Sequence, residues 1–346
     1  MEIEELRKSI DEIDKEIVKL IAKRFEVVKR IAEEKIAKNK GVLDEERETL
    51  VKMNWRRYAI EYGVPINVVE ELIELLIKYS KSYQLSLMAT SRKYKRNITF
   101  IGYGNMTRVL VKQLVQVGHD VVISGRSIDK AKRLADELRC KCMDVSQAIE
   151  HGEFIVLALS LDAFIDKYVD SISLYFKDKI VMDILSSKGW VFNYLENKSI
   201  KENFKYVSLH PLFGPLTPPV SEKIAVIPSK TGVDVLQDVV DLWISAGLEP
   251  VVVDFEEHEK TMAIVQVLTH LYLIAFSRAS NELIKELNIN PDILSTPTYR
   301  DIKAVTERIK YIENVVFEIQ RNNPFSNLVR KKALEVLNNI IESIGR

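Results

Sequence analysis

The run Ile98-Thr99-Phe100-Ile101-Gly102-Tyr103-Gly104-Asn105-Met106-Thr107 constrains the fold more than any other stretch of the chain. An apolar strand ends in a glycine turn and passes directly into a helix start. Gly102 permits the tight turn, and Gly104 lets the backbone approach a pyrophosphate at the positive helix N-terminus. Alone, Gly-x-Gly is a weak signal; here it opens a βαβ unit of the right length, which makes it strong. From Ile98 onward, short β-branched runs alternate with helical segments, at residues 98–102, 121–124, 154–159, 179–184, 206–209, 224–227 and 250–253. That alternation predicts a doubly wound α/β domain over residues 97–254. Gly102, Tyr103, Gly104, Asn105 and Met106 are then the expected cofactor-loop contacts. Thr107 stands where a third glycine is usual, which predicts slightly looser packing of helix on strand.

The end of the second strand shows cofactor preference in such Rossmann-type domains. This chain offers Ser124-Gly125-Arg126-Ser127 there, with Lys130 one turn on, and Asp120 lies at the wrong end of the strand. A guanidinium flanked by two hydroxyls fits a ribose 2′-phosphate, so NADP is expected over NAD. A surface Arg126 stacking on adenine would allow either cofactor.

The residues before this domain read as helix. Ile3, Leu6, Ile10, Ile13, Ile17, Leu20, Val27 and Ile31 keep helical spacing, with no Gly or Pro until Gly41. A single helix of roughly 35 residues would be about 50 Å long. Such a rod cannot bury its seam within so small a domain, which predicts an intertwined homodimer. Asp44 is the expected N-cap of a second helix running to about Tyr62, broken by Gly63-Val64-Pro65. A third helix carries Val69, Leu72, Ile73, Leu76 and Ile77, and a linker is expected from Met88 to Asn97, including Arg92-Lys93-Tyr94-Lys95-Arg96. The all-α N-terminal domain is therefore drawn as residues 1–88. After Phe255 the pattern returns to helix, giving an all-α domain over residues 255–346 suited to closing on substrate and to dimerisation.

Lys plus Arg equals Asp plus Glu, so no basic field points to nucleic acid. Cys140 and Cys142 fall two apart on an expected strand, but two thiols without a histidine cluster make no metal site. The N-terminus is charged from Glu2, unlike a signal peptide. The most apolar run, Met262–Phe276, contains Gln266 and His270 and reads as too short to span a bilayer. A cytoplasmic protein with no membrane partner is expected.

Two groups of polar residues need an explanation. Arg24 and Lys35 fall on a seam that should be apolar, and eleven residues at about 100° bring them within roughly 20° of one face. Arg7 points about 100° away from Arg24 by the same arithmetic. Buried cations need a partner or a bound anion; salt bridges to Glu48 or Asp44 are the plain alternative. The second group is His210-Pro211-Leu212-Phe213-Gly214-Pro215, placed after the short run Tyr206–Leu209. A histidine at a strand end facing a nicotinamide can take a hydroxyl proton as hydride leaves. His270 lies among leucines and reads as a core histidine, His258 follows two glutamates and reads as structural, and Lys188 is given no role.

At this point the pattern resembles known families. Leu6-Arg7, Ile10, Asp14, Arg24, Lys35, Asp44, Arg47-Glu48 and Gln84 resemble the all-helical chorismate mutase family over residues 1–88. The resemblance implies that Arg24 and Arg47 clamp the two carboxylates of chorismate, with Arg7 supplied by the other protomer. It further implies that Lys35 and Gln84 donate to the breaking ether oxygen and that Glu48 holds the ring hydroxyl, supported by Asp44. Gly102-Tyr103-Gly104, Asp183-Ile184-Leu185-Ser186-Ser187-Lys188, His210–Pro215, His258–Ala263, Thr269-His270 and Ser295–Arg300 resemble the prephenate dehydrogenase family. That resemblance implies oxidative decarboxylation of prephenate to 4-hydroxyphenylpyruvate, a tyrosine precursor. His210 would accept the hydroxyl proton and Ser186 would bond the hydroxyl or the nicotinamide. Arg308 or Arg300 would bind a carboxylate, and His270 becomes substrate-binding. The order of the two parts is similar to bifunctional chorismate mutase–prephenate dehydrogenases. Arogenate is the alternative second substrate. A hydroxyacid dehydrogenase with a dimerising helical bundle, or a silent ligand-binding module, are the rivals.

Overall fold

The computed structural model describes residues 3–38, 44–91, 95–217, 219 and 221–345. The chain opens with three helices, α1 (Ile3–Ala37), α2 (Glu45–Tyr62) and α3 (Ile66–Ser91). The 35 residues of α1 match the expected rod, with Glu4 and Glu5 in the first turn and Lys35 in the last, each sign complementing the helix dipole. Asp44 caps α2, its carboxylate accepting from the Arg47 backbone N–H at 3.0 Å. Gly63, at φ 69°, ends that helix in the left-handed region. The break expected at Gly41 lies outside the described residues. The linker drawn from Met88 is corrected: with neither Gly nor Pro after Pro65, α3 continues to Ser91. Arg92, Lys93 and Tyr94 of that linker lie outside the described residues.

Ile73, Leu76 and Ile77 of α3 form a small core with Ile21, Val51 and Trp55. On α1, only Val28 and Ala32 are buried, while Leu6, Ile10, Ile13, Ile17 and Leu20 stay exposed.

Eight strands follow: β1 (Asn97–Ile101), β2 (Asp120–Ser124), β3 (Lys141–Cys142), β4 (Phe154–Leu157), β5 (Ile180–Asp183), β6 (Lys205–Pro211), β7 (Lys223–Pro228) and β8 (Glu249–Val252). They lie in the order β3-β2-β1-β4-β5-β6-β7-β8, whose first six places are the doubly wound arrangement of dinucleotide-binding sheets. Helices α4 (Asn105–Gln116) and α5 (Ile128–Leu138) follow β1 and β2. The pair β1–β2 is parallel, with Ile101 opposite Ser124; β5–β6 is parallel, with Asp183 opposite Ser208. The seven strands read from the sequence are present. Two-residue β3 showed only through the spacing of Cys142 from Cys140, which precedes it, being too short for any periodicity.

Contacts divide the chain into two compact units, one of residues 1–155, 211–224 and 237–251, the other of residues 156–210, 225–236 and 252–346. The second contains the C-terminal helices Phe255–Met262, Thr269–Glu286, Pro297–Lys310, Glu313–Asn322 and Ser326–Ile344. A π-helical turn, Ala263–Leu268, joins the first two. The apolar run at Met262–Phe276 therefore belongs to one 32-residue helix holding an 18-residue window of mean hydropathy 1.4, which by length and composition alone is enough to cross a membrane. The length argument made from sequence counted the apolar run alone, whereas the helix itself continues on both sides of it through charged residues.

Candidate active sites

The first site is the loop between β1 and α4. Gly102 has φ 129°, and its N–H donates to the Ser124 carbonyl at 2.8 Å, fixing the turn against β2. Gly104 caps α4 with no side-chain hydrogen bond to the first turn. A Cβ at Gly104 would meet nothing within 4 Å, so the loop keeps room beside the N–H groups of Asn105 and Met106. That cradle fits a dinucleotide pyrophosphate. Thr107 is buried and its Oγ1 has no partner. Past β2, a Cβ at Gly125 would lie 2.9 Å from Tyr103 Cε1, so the position after the strand carries no side chain.

The two hydroxyls expected around Arg126 are not equivalent. Ser124 is fully buried and donates to the Met143 carbonyl at 2.7 Å, which turns it away from any cofactor. Ser127 caps α5, accepting from the Lys130 N–H at 3.4 Å. Arg126 and Lys130 are exposed. Asp120 is held by Lys141 at 2.7 Å, and that hydrogen bond keeps its carboxyl below the usual range.

The second site surrounds His210, which is buried near the end of β6. Its Nδ1 lies 3.0 Å from His258 Nε2, and His258 Nδ1 lies 3.0 Å from Glu259 Oε1. On the other side, the amide nitrogen of Gln266 approaches His210 Nε2 at 3.3 Å. Gln266 reaches there from the π turn, a rare geometry that is frequent at functional sites. Burial pushes the His210 imidazole well below the ordinary histidine range, with His258 and Lys188 adding to the shift. The side chain is therefore a neutral base at physiological pH.

Beneath it, Lys188 Nζ donates to Asp183 Oδ1 at 3.0 Å and to the carbonyls of Leu185 and Leu209, each at 2.5 Å. Asp183 also accepts from the Leu185 N–H at 3.0 Å, Tyr206 Oη at 2.7 Å and Ser208 Oγ at 2.5 Å. Every proton of the ammonium is used, and the ends of β5 and β6 are pinned together one residue before His210. Ser186 sits half-buried in the loop this network shapes. Sequence reasoning gave Lys188 no role, read His258 as structural and passed over Asp183, Glu259 and Gln266. The His258-Glu259 dipeptide and the Asp183–Lys188 spacing were visible, but nothing in the sequence paired them.

His270 is half-buried, with a buried Nδ1 that has no partner, and burial lowers its pKa. Arg300 donates to the Ser295 carbonyl at 2.8 Å and is exposed; Arg308 is exposed in the last turn of its helix. The two arginines thus lie on the surface of this unit.

The third site lies on the N-terminal helices. Arg24 donates to Ser80 Oγ and, at 3.3 Å, to the Leu76 carbonyl. One turn on, Gln84 is buried; its Nε2 donates to the Ser80 carbonyl at 3.3 Å and its Oε1 is without a partner. Glu48 accepts from Lys81 at 3.2 Å. The bridge from Arg24 to Glu48 or Asp44 is therefore replaced, because Lys81 takes Glu48 and Asp44 is engaged as a cap. Burial lowers the Arg24 pKa without displacing it from the charged form. Lys35 is half-buried, Arg47 is exposed, and Arg7 is exposed with Glu4 at 2.6 Å.

Together these features define a two-part protein, an all-helical bundle with a half-buried guanidinium followed by a dinucleotide-binding α/β fold with a buried histidine. Its N-terminal part belongs to the chorismate mutase family: residues 6–85 match the family described as chorismate mutase type II. The chorismate mutase of Methanocaldococcus jannaschii is 37% identical over 93 residues, covering 27% of this chain and 94% of that protein. Residues 97–187 match the family described as NADP oxidoreductase, coenzyme F420-dependent. Across both parts, the T-protein of Enterobacter agglomerans is 23% identical over 319 residues, 89% of this chain and 78% of that protein. A probable arogenate/prephenate dehydrogenase of M. jannaschii is 25% identical over 194 residues, 55% of this chain; the match spans only 42% of that relative. In fold, a putative prephenate dehydrogenase from Corynebacterium glutamicum superposes with a TM-score of 0.60 at 21% identity, covering 71% of this chain and 81% of the other. Prephenate dehydrogenase from A. aeolicus, in complex with hydroxyphenyl propionate and NAD+, gives 0.54 at 18% identity, covering 73% and 92%. The chain thus carries a chorismate mutase domain and a prephenate dehydrogenase-like domain.

Proposed function

We propose that the chain is a bifunctional enzyme of tyrosine biosynthesis. It rearranges chorismate to prephenate and then oxidatively decarboxylates prephenate to 4-hydroxyphenylpyruvate. The observation that carries the second activity is His210, a buried neutral imidazole engaged at both nitrogens near a strand end. Gly102, Tyr103, Gly104, Asn105 and Met106 hold NAD(P) in this reading, with Arg126 toward the adenosine. The bound nicotinamide supplies the hydride acceptor. His210 takes the ring-hydroxyl proton, Ser186 and His270 orient the substrate, and Arg300 or Arg308 meets a carboxylate. In the mutase, Arg24, Arg47 and the other protomer's copy of Arg7 bind carboxylates. Lys35 and Gln84 donate to the ether oxygen, and Glu48 and Asp44 serve the ring hydroxyl. Gln84 is buried and its Nε2 gives one N–H to the Ser80 carbonyl, so the second N–H of the amide supports the donating role.

NADP is favoured over NAD by the exposed Arg126 beside a side-chain-free Gly125, where NAD sites carry an acid. The working parts are residues 1–88 for the mutase, 97–254 for dinucleotide binding and 255–346 for substrate closure and dimerisation. Free Cys140 and Cys142 suit a reducing cytoplasm. The purified protein, given prephenate and then chorismate with NADP and NAD in turn, is expected to reduce nicotinamide from both substrates, faster with NADP. Reduction from prephenate alone would remove the mutase. Silence with both, followed by turnover of arogenate, would replace prephenate as the second substrate.

A homodimer completes this reading. Leu6, Ile10, Ile13, Ile17 and Leu20 form an exposed stripe on α1, and each would gain about 1.5–3 kcal/mol on full burial. Sedimentation is expected to give twice the chain mass, and a monomer at micromolar concentration would count against the paired α1 seams.

A further inference from the structure

We propose that His258 and Glu259 set the tautomer of His210 and hold the substrate proton during turnover, a role that rests on the dehydrogenase reading above. A carboxylate only accepts, so Glu259 Oε1 takes the Nδ1–H of His258 at 3.0 Å. Neutral His258 then has its lone pair on Nε2 and accepts the Nδ1–H of His210 at 3.0 Å. His210 is left with a bare Nε2, the atom to which Gln266 donates at 3.3 Å. The three bonds form one directed chain, and it ends with the base lone pair on His210 Nε2, facing the Gln266 amide. The Lys188 backbone N–H, donating to Glu259 Oε1 at 3.2 Å, and Asn323 Nδ2, donating to the Glu259 carbonyl at 2.8 Å, fix the far end.

Reaction stoichiometry gives the chain a second task. A bound nicotinamide would accept the hydride with its electron pair, while the hydroxyl proton goes to His210 Nε2 and the carbonyl forms. The bond to the carboxylate carbon then breaks, its electrons enter the ring, carbon dioxide departs, and the resulting phenolate oxygen takes a proton back. The sum releases no proton, so the one removed needs a holding place rather than an exit. His210, His258 and Glu259 are all buried, and Lys188 close by opposes a cation on either imidazole. Passing Nδ1–H from His210 to His258, and Nδ1–H from His258 to Glu259, neutralises that cation against the carboxylate. The charged and titratable groups packed around the relay are Lys188 and Asp183 from the β5 end and Tyr206 from β6. Glu259 Oε2 is buried without a partner, so the acceptor end is not saturated.

Histidine 15N resonances in protein free of cofactor and substrate test the tautomer, and five histidines make the spectrum assignable. His210 is expected to carry its proton on Nδ1; an Nε2–H form would overturn the chain. Glu259→Gln is expected to lose this bias and to lower prephenate kcat by about 10- to 100-fold, leaving KM within roughly a factor of two. Glu259→Asp should recover part of the loss, and chorismate mutase rate and denaturant midpoint report folding. An unchanged kcat in Glu259→Gln would overturn the holding role. Should that variant not fold, the wild-type tautomer decides alone. Wild-type protein with the Nδ1–H form but no prephenate turnover would overturn the dehydrogenase reading while leaving the tautomer assignment in place.

Discussion

His210→Asn is expected to lower prephenate-dependent kcat by about 10²–10⁴-fold while chorismate rearrangement proceeds at the wild-type rate. Asparagine can keep a hydrogen bond to His258 but cannot accept a proton from a hydroxyl, so the loss falls on chemistry rather than on binding. Wild-type protein should also show where the base titrates. Burial, then His258 and Lys188, push the His210 pKa well below its ordinary value of 6.5. A base works unprotonated, so a lowered pKa moves the acid limb of kcat/KM to a pH below the usual histidine range. A limb at or above 6.5 would mean that another group is the base. Loss of both activities in His210→Asn would point to a folding defect or a shared site, against separate working parts.

What the sequence reveals and what it hides follow physical lines. The α1 rod and the Gly-x-Gly turn were legible because each is a local rule repeated or enforced along the backbone. Helical spacing runs through roughly eight turns of α1 from Ile3 to Ile31, and only glycine takes the φ of 129° at position 102 without strain. The Asp44 cap was legible for the same reason, its bond closing within three residues. The Lys188–Asp183 network was not, since it depends on the register that sets Asp183 opposite Ser208 and on a loop with no period. Ser124 was misjudged because a parallel strand is buried on both faces, so alternation does not say which way its last hydroxyl turns. His258 was passed over because a histidine after two glutamates reads as part of a charged helix face. Only its folded position places it against His210.

Asp183→Asn is expected to destabilise the fold by about 3–5 kcal/mol near neutral pH, because it strands a buried ammonium. Lys188 is 1% exposed and would keep only two carbonyls and a neutral amide as partners. The reverse change, Lys188→Met, should be milder. Asp183 would still accept from the Leu185 N–H, Tyr206 and Ser208, and methionine fills much of the lysine stem's volume. The pH dependence separates this account from simple loss of packing. Burial already lowers the Lys188 pKa from its ordinary 10.5, with Asp183 opposing the shift. Removing that carboxylate lowers the folded-state pKa further, while the unfolded lysine stays near 10.5. Between those two values the unfolded chain binds more protons, so stability rises with pH. Wild-type Lys188 is itself lowered, so the Asp183→Asn deficit should be full below the variant's folded pKa and recede as pH climbs from there to the wild type's folded pKa, which lies below 10.5. Urea midpoints of the wild type and both variants across that range measure it. A deficit that stays constant with pH, or a Lys188→Met variant as unstable as Asp183→Asn, would show that shape rather than buried charge holds the ends of β5 and β6 together.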